Sequence, residues 1–199
     1  MDDPEYFKII IIGDTSVGKT SLMRRYIEGI YIEKTLSTIG IELFKKEVSI
    51  QNKKYVMKIW DTCGQEKFRA ISKNYYHNAD GIMLLFDISS HDTFEHLSDW
   101  TESIYQNTSK DTPLIIVASK CDLEHLVTDQ EIEEYSTKNK VKVIKTSSKD
   151  NINVEEPFLY LGEEIIKKGM NKGNKKGQLI DVNALKKNKK RKIKCCNNS

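Results

Sequence analysis

The sequence predicts an α/β protein: a six-stranded, mostly parallel sheet with helices on both faces. Three observations lead there. Apolar runs of strand length alternate with helical patterns along most of the 199 residues. Gly81–Phe86 and Leu114–Ala118 are near-continuously apolar, as strands buried on both faces should be. Residues 13–20, Gly-Asp-Thr-Ser-Val-Gly-Lys-Thr, form a G-x-x-x-x-G-K-[ST] pattern between an apolar run and a helical one.

Taken in order, Tyr6–Ile12 is a strand, and Lys19–Glu28 a helix with Leu22, Tyr26 and Ile27 apolar. Residues 29–40 are a loop. Ile41–Ile50 and Tyr55–Trp60 alternate as a hairpin should, with Gln51-Asn52-Lys53 as its turn. Gly81–Phe86, Leu114–Ala118 and Val141–Ile144 complete the strands. Helices are expected at about 66–77, 92–107, 129–139 and 154–168, with Asp92 and Asp129 as N-caps and Pro157 in a first turn that tolerates a missing N–H. No internal repeat is visible. From Gly169 onward Gly, Asn, Lys and Gln dominate, so residues 1–168 read as a folded domain and 169–199 as a disordered tail.

Composition narrows the class. No run approaches the roughly 20 apolar residues of a membrane span, and the acidic start Met1-Asp2-Asp3-Pro4-Glu5 lacks a signal-peptide core. A cytosolic chain is expected. Residues 1–164 carry 20 basic and 28 acidic side chains, and residues 165–199 carry 12 basic and one acidic. An acidic domain with a basic tail suggests that the tail meets an anionic surface. Cys63, Cys121, Cys195 and Cys196 lack zinc-ligand spacing.

The chemistry is carried by five stretches, each just after a strand or in the loop before one, where open α/β sheets bind ligands. In residues 13–20, Gly13 and Gly18 let backbone N–H groups face one concavity, to which Asp14, Thr15, Ser16 and Val17 contribute. The next helix adds its positive end. Lys19 is placed for β- and γ-phosphates and Thr20 for Mg²⁺. In Asp61-Thr62-Cys63-Gly64-Gln65, Asp61 orders Mg²⁺ through water, Gly64 offers an N–H to the γ-phosphate and Gln65 orients an attacking water. Ser119-Lys120-Cys121-Asp122 supplies a carboxylate for guanine N1–H and its amine. Adenine would leave that acid unpaired at a cost of about 1–3 kcal/mol. The Lys120 stem and Tyr31 are candidates to cover the two faces of the base, and the N–H groups of Thr146-Ser147-Ser148-Lys149 to bind guanine O6. Thr38, before the second strand, is a further Mg²⁺ and γ-phosphate candidate, giving an order-to-disorder switch on phosphate loss.

Together these stretches resemble the Ras superfamily of small GTPases over residues 6–168. The resemblance implies the G domain of the P-loop NTPases. Ser37-Thr38-Ile39-Gly40-Ile41-Glu42-Leu43, residues 58–69 (Lys-Ile-Trp-Asp-Thr-Cys-Gly-Gln-Glu-Lys-Phe-Arg), Tyr75-Tyr76 and the terminal Cys-Cys are similar to the Rab family. It further implies two switches at 31–45 and 61–77, with Thr38 on Mg²⁺ only in the GTP state. Effectors are expected to read Ile41, Phe44, Trp60, Phe68 and Tyr76 or their neighbours. An exchange factor, a GTPase-activating protein, a GDP-dissociation inhibitor and an escort protein are the implied regulators. The chain departs from the pattern at Ser119 (usually Asn, which bridges base and phosphate loops), Ser148 and Cys63 (usually Ala) and Ser16 (often Gly). A shorter Ser119 implies faster nucleotide exchange.

Residues 186–194 carry seven positive charges, each worth about 1 kcal/mol at an anionic leaflet before salt screening. Read alone, that run is equally a nuclear-localisation or nucleic-acid patch. With Cys195-Cys196 beside it, the expectation is a doubly geranylgeranylated membrane anchor and no nucleic acid, although Cys196-Asn197-Asn198-Ser199 also fits the C-a-a-X count. The reading is a GTP-on, GDP-off switch on the cytoplasmic face of an intracellular membrane, cycling with the cytosol. Its rival is a nucleotide-holding recruitment module with little or no hydrolysis. A P-loop kinase would need an acceptor site that the sequence does not display.

Overall fold

Alternating burial builds the sheet. In β1 (Tyr6–Gly13), Phe7, Ile9 and Ile11 enter one hydrophobic core and Ile10 and Ile12 the other. The computed structural model describes residues 5–33, 41–62 and 76–169. Within them the order is β1, α1 (Lys19–Glu28), β2 (Ile41–Ile50), β3 (Lys53–Thr62), β4 (Gly81–Asp87), α2 (His91–Glu95), α3 (Leu97–Asn107), β5 (Leu114–Ser119), α4 (Asp129–Asn139), β6 (Lys142–Lys145) and α5 (Glu156–Lys167). The six strands run β2-β3-β1-β4-β5-β6, with β2 antiparallel to β3 and every other pair parallel. β4 is buried throughout, which its unbroken apolar sequence predicts.

Helices cover both faces. Leu22, Met23 and Tyr26 of α1 and Phe158, Leu161 and Ile165 of α5 fill one core, where the Tyr26 and Phe158 rings stack 3.9 Å apart. Leu97, Trp100 and Ile104 of α3 and Ile132 of α4 fill the other.

Several boundaries differ from expectation. The hairpin turn is two residues, Gln51-Asn52, because Ile50 pairs with Lys53. Both turn residues have positive φ, 51° and 62°, as the twist-matched hairpin turn requires. The helix expected over 92–107 is interrupted at His96, whose side chain reaches the phosphate loop. Asp92 and Asp129 are not N-caps. Ser90 precedes α2. Thr128 caps α4 through a reciprocal box, its hydroxyl accepting from Glu131 N–H and the Glu131 carboxylate accepting from Thr128 N–H. Helix α5 starts at Glu156, two residues later than expected, with Pro157 in its first turn. The helix expected at 66–77 falls almost wholly outside the described residues, as does the tail beyond Gly169.

Candidate functional site

The loop after β1 is set by backbone geometry. Gly13 has φ 137°, and a Cβ there would lie 2.2 Å from Leu85 O, so no other residue fits. Ser16 also sits in left-handed space, at φ 65°. Val17 is fully buried and pins the loop to the core, while Thr15 and Ser16 are exposed. Gly18 precedes α1 with no side-chain cap, which leaves the first N–H groups of the helix for a ligand. Lys19 is 6% exposed, and its ammonium donates to Gly13 O (2.8 Å) and Asp14 O (2.6 Å). Those carbonyls hold the cation over the mouth of the loop.

The Asp14 side chain is held from outside the loop. Its carboxylate accepts from His96 Nδ1 (2.6 Å) and Trp100 Nε1 (2.8 Å), which ties the loop to the start of α3. No local sequence signal announces this, since the partners lie more than 80 residues apart.

At the end of β3, Thr20 Oγ1 donates to Asp61 Oδ2 at 2.5 Å. Asp61 is fully buried, and among the described residues its Oδ1 has no hydrogen-bond partner. Burial pushes the Asp61 carboxyl above its ordinary range, a tendency opposed by Thr20 and Lys19. A buried carboxylate with one orphaned oxygen beside a threonine hydroxyl fits a hard divalent cation, which would satisfy that oxygen and reverse the shift.

A second cluster lies at the ends of β4, β5 and β6. Ser147 Oγ donates to Asp122 Oδ1 (2.6 Å) and accepts from Asp150 N–H (3.0 Å), fixing the acid's orientation. Lys120, at φ 60°, pairs its ammonium with Asp87 Oδ2 at 2.5 Å. The Ser119 hydroxyl lies 2.6 Å from Val17 O and 2.7 Å from Phe86 O. Short as it is, it spans from β5 to the phosphate loop, although a single proton serves one carbonyl at a time. In residues 146–149, Thr146 and Ser147 N–H groups are already bonded, to Ala118 O and Ile152 O. Among the described residues no hydrogen bond engages the Ser148 or Lys149 N–H, so the O6 reading narrows to those two. Arg25 of α1 supports this loop from behind, with Nε on Ser148 O (2.6 Å), Nη2 on Lys149 O (2.9 Å) and Nη1 on Gly29 O (2.8 Å). Tyr31 is half-buried after α1, and among the described residues no ring contact or hydrogen bond joins it to Lys120.

The structure thus gathers Gly13 to Thr20, Asp61, Ser119, Lys120, Asp122, Ser147, Ser148 and Lys149 at the carboxyl ends of the strands. Thr38, Gly64, Gln65, Cys195 and Cys196 lie outside the described residues, as do Cys63 and Phe68. Of the expected effector contacts, Tyr76 is 2% exposed and packs in a core, and Phe44 packs against the other core. Trp60 faces the opposite way beside exposed Leu43, its cross-strand partner. The strand's phase explains the difference: Leu43, not Phe44, is in register with Trp60.

A sequence model of the Ras family matches residues 8–167. The chain is a Rab-family small GTPase. It is 42% identical to Ras-related protein RabH of Dictyostelium discoideum over 81% of this chain and 82% of that one. It is 39% identical to human Ras-related protein Rab-12 (83% and 70%) and 38% identical to Rab-10 of Diplobatis ommata (81% and 82%). As a Rab GTPase it binds GTP and GDP with Mg²⁺, hydrolyses GTP, engages effectors and regulators, and works in vesicle trafficking. The Thr20–Asp61 arrangement suits that ion, and the anchored phosphate loop suits that nucleotide.

Proposed function

We propose a division of labour within this GTPase. Residues 13–18 and Gly64 cradle the phosphates, and Lys19 neutralises the β- and γ-oxygens. Thr20, Thr38 and, through water, Asp61 hold Mg²⁺, which supplies charge neutralisation when bound. Asp122, steadied by Ser147, selects guanine. Lys120 and Tyr31 flank the base, Ser119 links base and phosphate loops, and Ser148 and Lys149 offer N–H groups to O6. Gln65 orients the water that attacks the γ-phosphate, while Lys19 and the loop N–H groups stabilise the developing charge. Intrinsic turnover is slow, and an activating protein accelerates it by about 10³–10⁵-fold.

Residues 1–168 form the switch and 169–199 a basic tail, doubly prenylated at Cys195 and Cys196. The protein then cycles between the cytosol and the cytoplasmic face of an intracellular membrane. Exchange factor, activating protein, GDP-dissociation inhibitor and escort protein serve that cycle. The observation that carries the reading is the buried Asp61, one oxygen of which has no partner among the described residues, beside Thr20 and below a loop whose lysine is already aimed. Single-turnover hydrolysis by full-length protein tests it: Gln65→Leu should retain GTP while losing phosphate release. Wild-type rates in that variant would refute the assignment.

A further inference from the structure

A cleft of about 350 Å³ lies between the end of α1, β2 and the segment that leads into α5. Its walls carry charge that the protein leaves unmatched. Two of the lining groups are the cations Arg25 and Lys46, and a third is the carboxylate of Glu155. The Arg25 guanidinium donates to the main-chain carbonyls of Ser148, Lys149 and Gly29. Lys46 donates to Tyr26 O, and its ammonium sits 3.7 Å from the Tyr26 ring centroid. Neutral carbonyls and a ring face leave both positive charges uncompensated. Among the described residues no carboxylate pairs with either cation, and no cation pairs with Glu155. Glu156, also in the wall, differs in being held by Lys142 at 3.6 Å. Burial first, then the Glu155 charge, raise the pKa of the Tyr26 phenol, which places that carboxylate within electrostatic reach of the residue that Lys46 covers. The cleft is joined to the guanine loop twice. Arg25 holds the Ser148 and Lys149 carbonyls, and Ile152, beside the lining Asn151 and Asn153, exchanges two backbone hydrogen bonds with Ser147 (3.0 and 2.9 Å).

We propose that this cleft binds a small zwitterion of the amino-acid type, its carboxylate on Lys46 and Arg25 and its ammonium on Glu155, and that occupancy loosens bound GDP. A ligand with only a negative charge would meet the unpaired Glu155, and one with only a positive charge would meet Arg25 and Lys46. A molecule carrying both satisfies all three groups. The volume is at the small end of the range for small-molecule sites, about 300–1,000 Å³, and buried Val154 supplies an apolar wall for a methylene chain. The link to GDP runs through Arg25. A bond from a guanidinium to a carboxylate is roughly twice as strong as one to a neutral carbonyl, so the ligand draws Arg25 away from Ser148 and Lys149. Linkage then requires GDP and the zwitterion to weaken one another. This coupling rests on the reading that residues 148 and 149 hold the guanine.

The test uses full-length protein loaded with labelled GDP and Mg²⁺. The probe is 4-aminobutyrate, with butyrate and butylammonium as its one-charge counterparts. Amide resonances of residues 151–156 should move with the probe and saturate with a Kd of about 1 mM, and neither counterpart should reproduce the titration. GDP release should quicken about fivefold at saturation. Glu155 is exposed and its side chain does not cap α5, so Glu155→Gln should keep basal GDP release while weakening the probe about tenfold. Lys46→Gln should weaken the probe to a similar degree, and Lys46→Arg should restore it. Butyrate binding as tightly as the probe would mark an anion site, and butylammonium doing so a cation site; either overturns the proposal. So would unmoved resonances, or an unchanged Kd in Glu155→Gln. Saturable binding with constant GDP release would overturn the coupling. Shifts of the Ser148 and Lys149 amides on GDP loading, measured without the probe, report on the guanine assignment alone.

Discussion

Ser119 shows how one atom connects two functions. Its hydroxyl lies between Val17 O of the phosphate loop and Phe86 O of β4. Ser119→Ala leaves a buried carbonyl without a donor, at about 1–3 kcal/mol, and should speed GDP release and lower the melting temperature. Ser119→Asn should release GDP more slowly than wild type in the same stopped-flow assay; equal rates would contradict the role. Ser16 sits at φ 65°, a conformation costing a non-glycine residue roughly 1–2 kcal/mol, part of it offset by the greater unfolded-chain entropy of glycine. The resemblance flagged Ser16 as a departure, but only the dihedral angle explains why glycine suits the position. Asp14, by contrast, was legible as a loop residue and not as the anchor of His96 and Trp100. Trp100→Phe keeps the ring and removes one donor to a carboxylate. It should hasten GDP dissociation with only a small loss of stability.

At the scale of elements, the sheet was legible because its strands differ in kind: unbroken apolar β4 and β5, alternating β2 and β3. Helix starts were less so. Thr128 and Asp129 are both good caps, and only the return bond from Glu131 decides between them. Nor does a 16-residue helical pattern say that His96 will turn aside to Asp14. Arg25 has no sequence cue for this role either, since the Ser148 and Lys149 carbonyls it holds are over 120 residues away. Arg25→Ala should loosen the 146–149 loop and weaken guanine nucleotide binding, with hydrogen exchange rising there first. Helices α2 and α4 are joined by His91 donating to Glu131 at 2.9 Å. The bond to Glu131 raises the His91 pKa, and His91 with Thr128 pulls Glu131 down to about 2. A raised histidine stabilises fully below its unfolded value and ceases to as pH climbs through the folded one. A lowered glutamate stabilises above its unfolded value and ceases to as pH falls through about 2. The joint is therefore fullest between roughly pH 4.5 and 6.5. From about pH 6 to about pH 8 the urea midpoint should fall further in wild type than in His91→Gln.

At the scale of the molecule, the sheet order brings the ends of β1, β3, β4, β5 and β6 to one edge, so loops far apart in sequence share one ligand. In the proposed reading the tail adds an address rather than chemistry: Cys195→Ser with Cys196→Ser should move the protein from the membrane fraction to the soluble one while leaving GTP hydrolysis intact. The central claim is that a lysine-bearing loop and the Thr20–Asp61 pair grip the phosphates while Asp122 chooses the base. Competition for labelled GDP on the purified, Mg²⁺-loaded chain tests it most directly. Unlabelled GTP and GDP should displace the label and ATP should not, and Asp122→Ala should erase that preference. Displacement by ATP as effective as by GTP, or an unaltered preference in Asp122→Ala, would contradict the account.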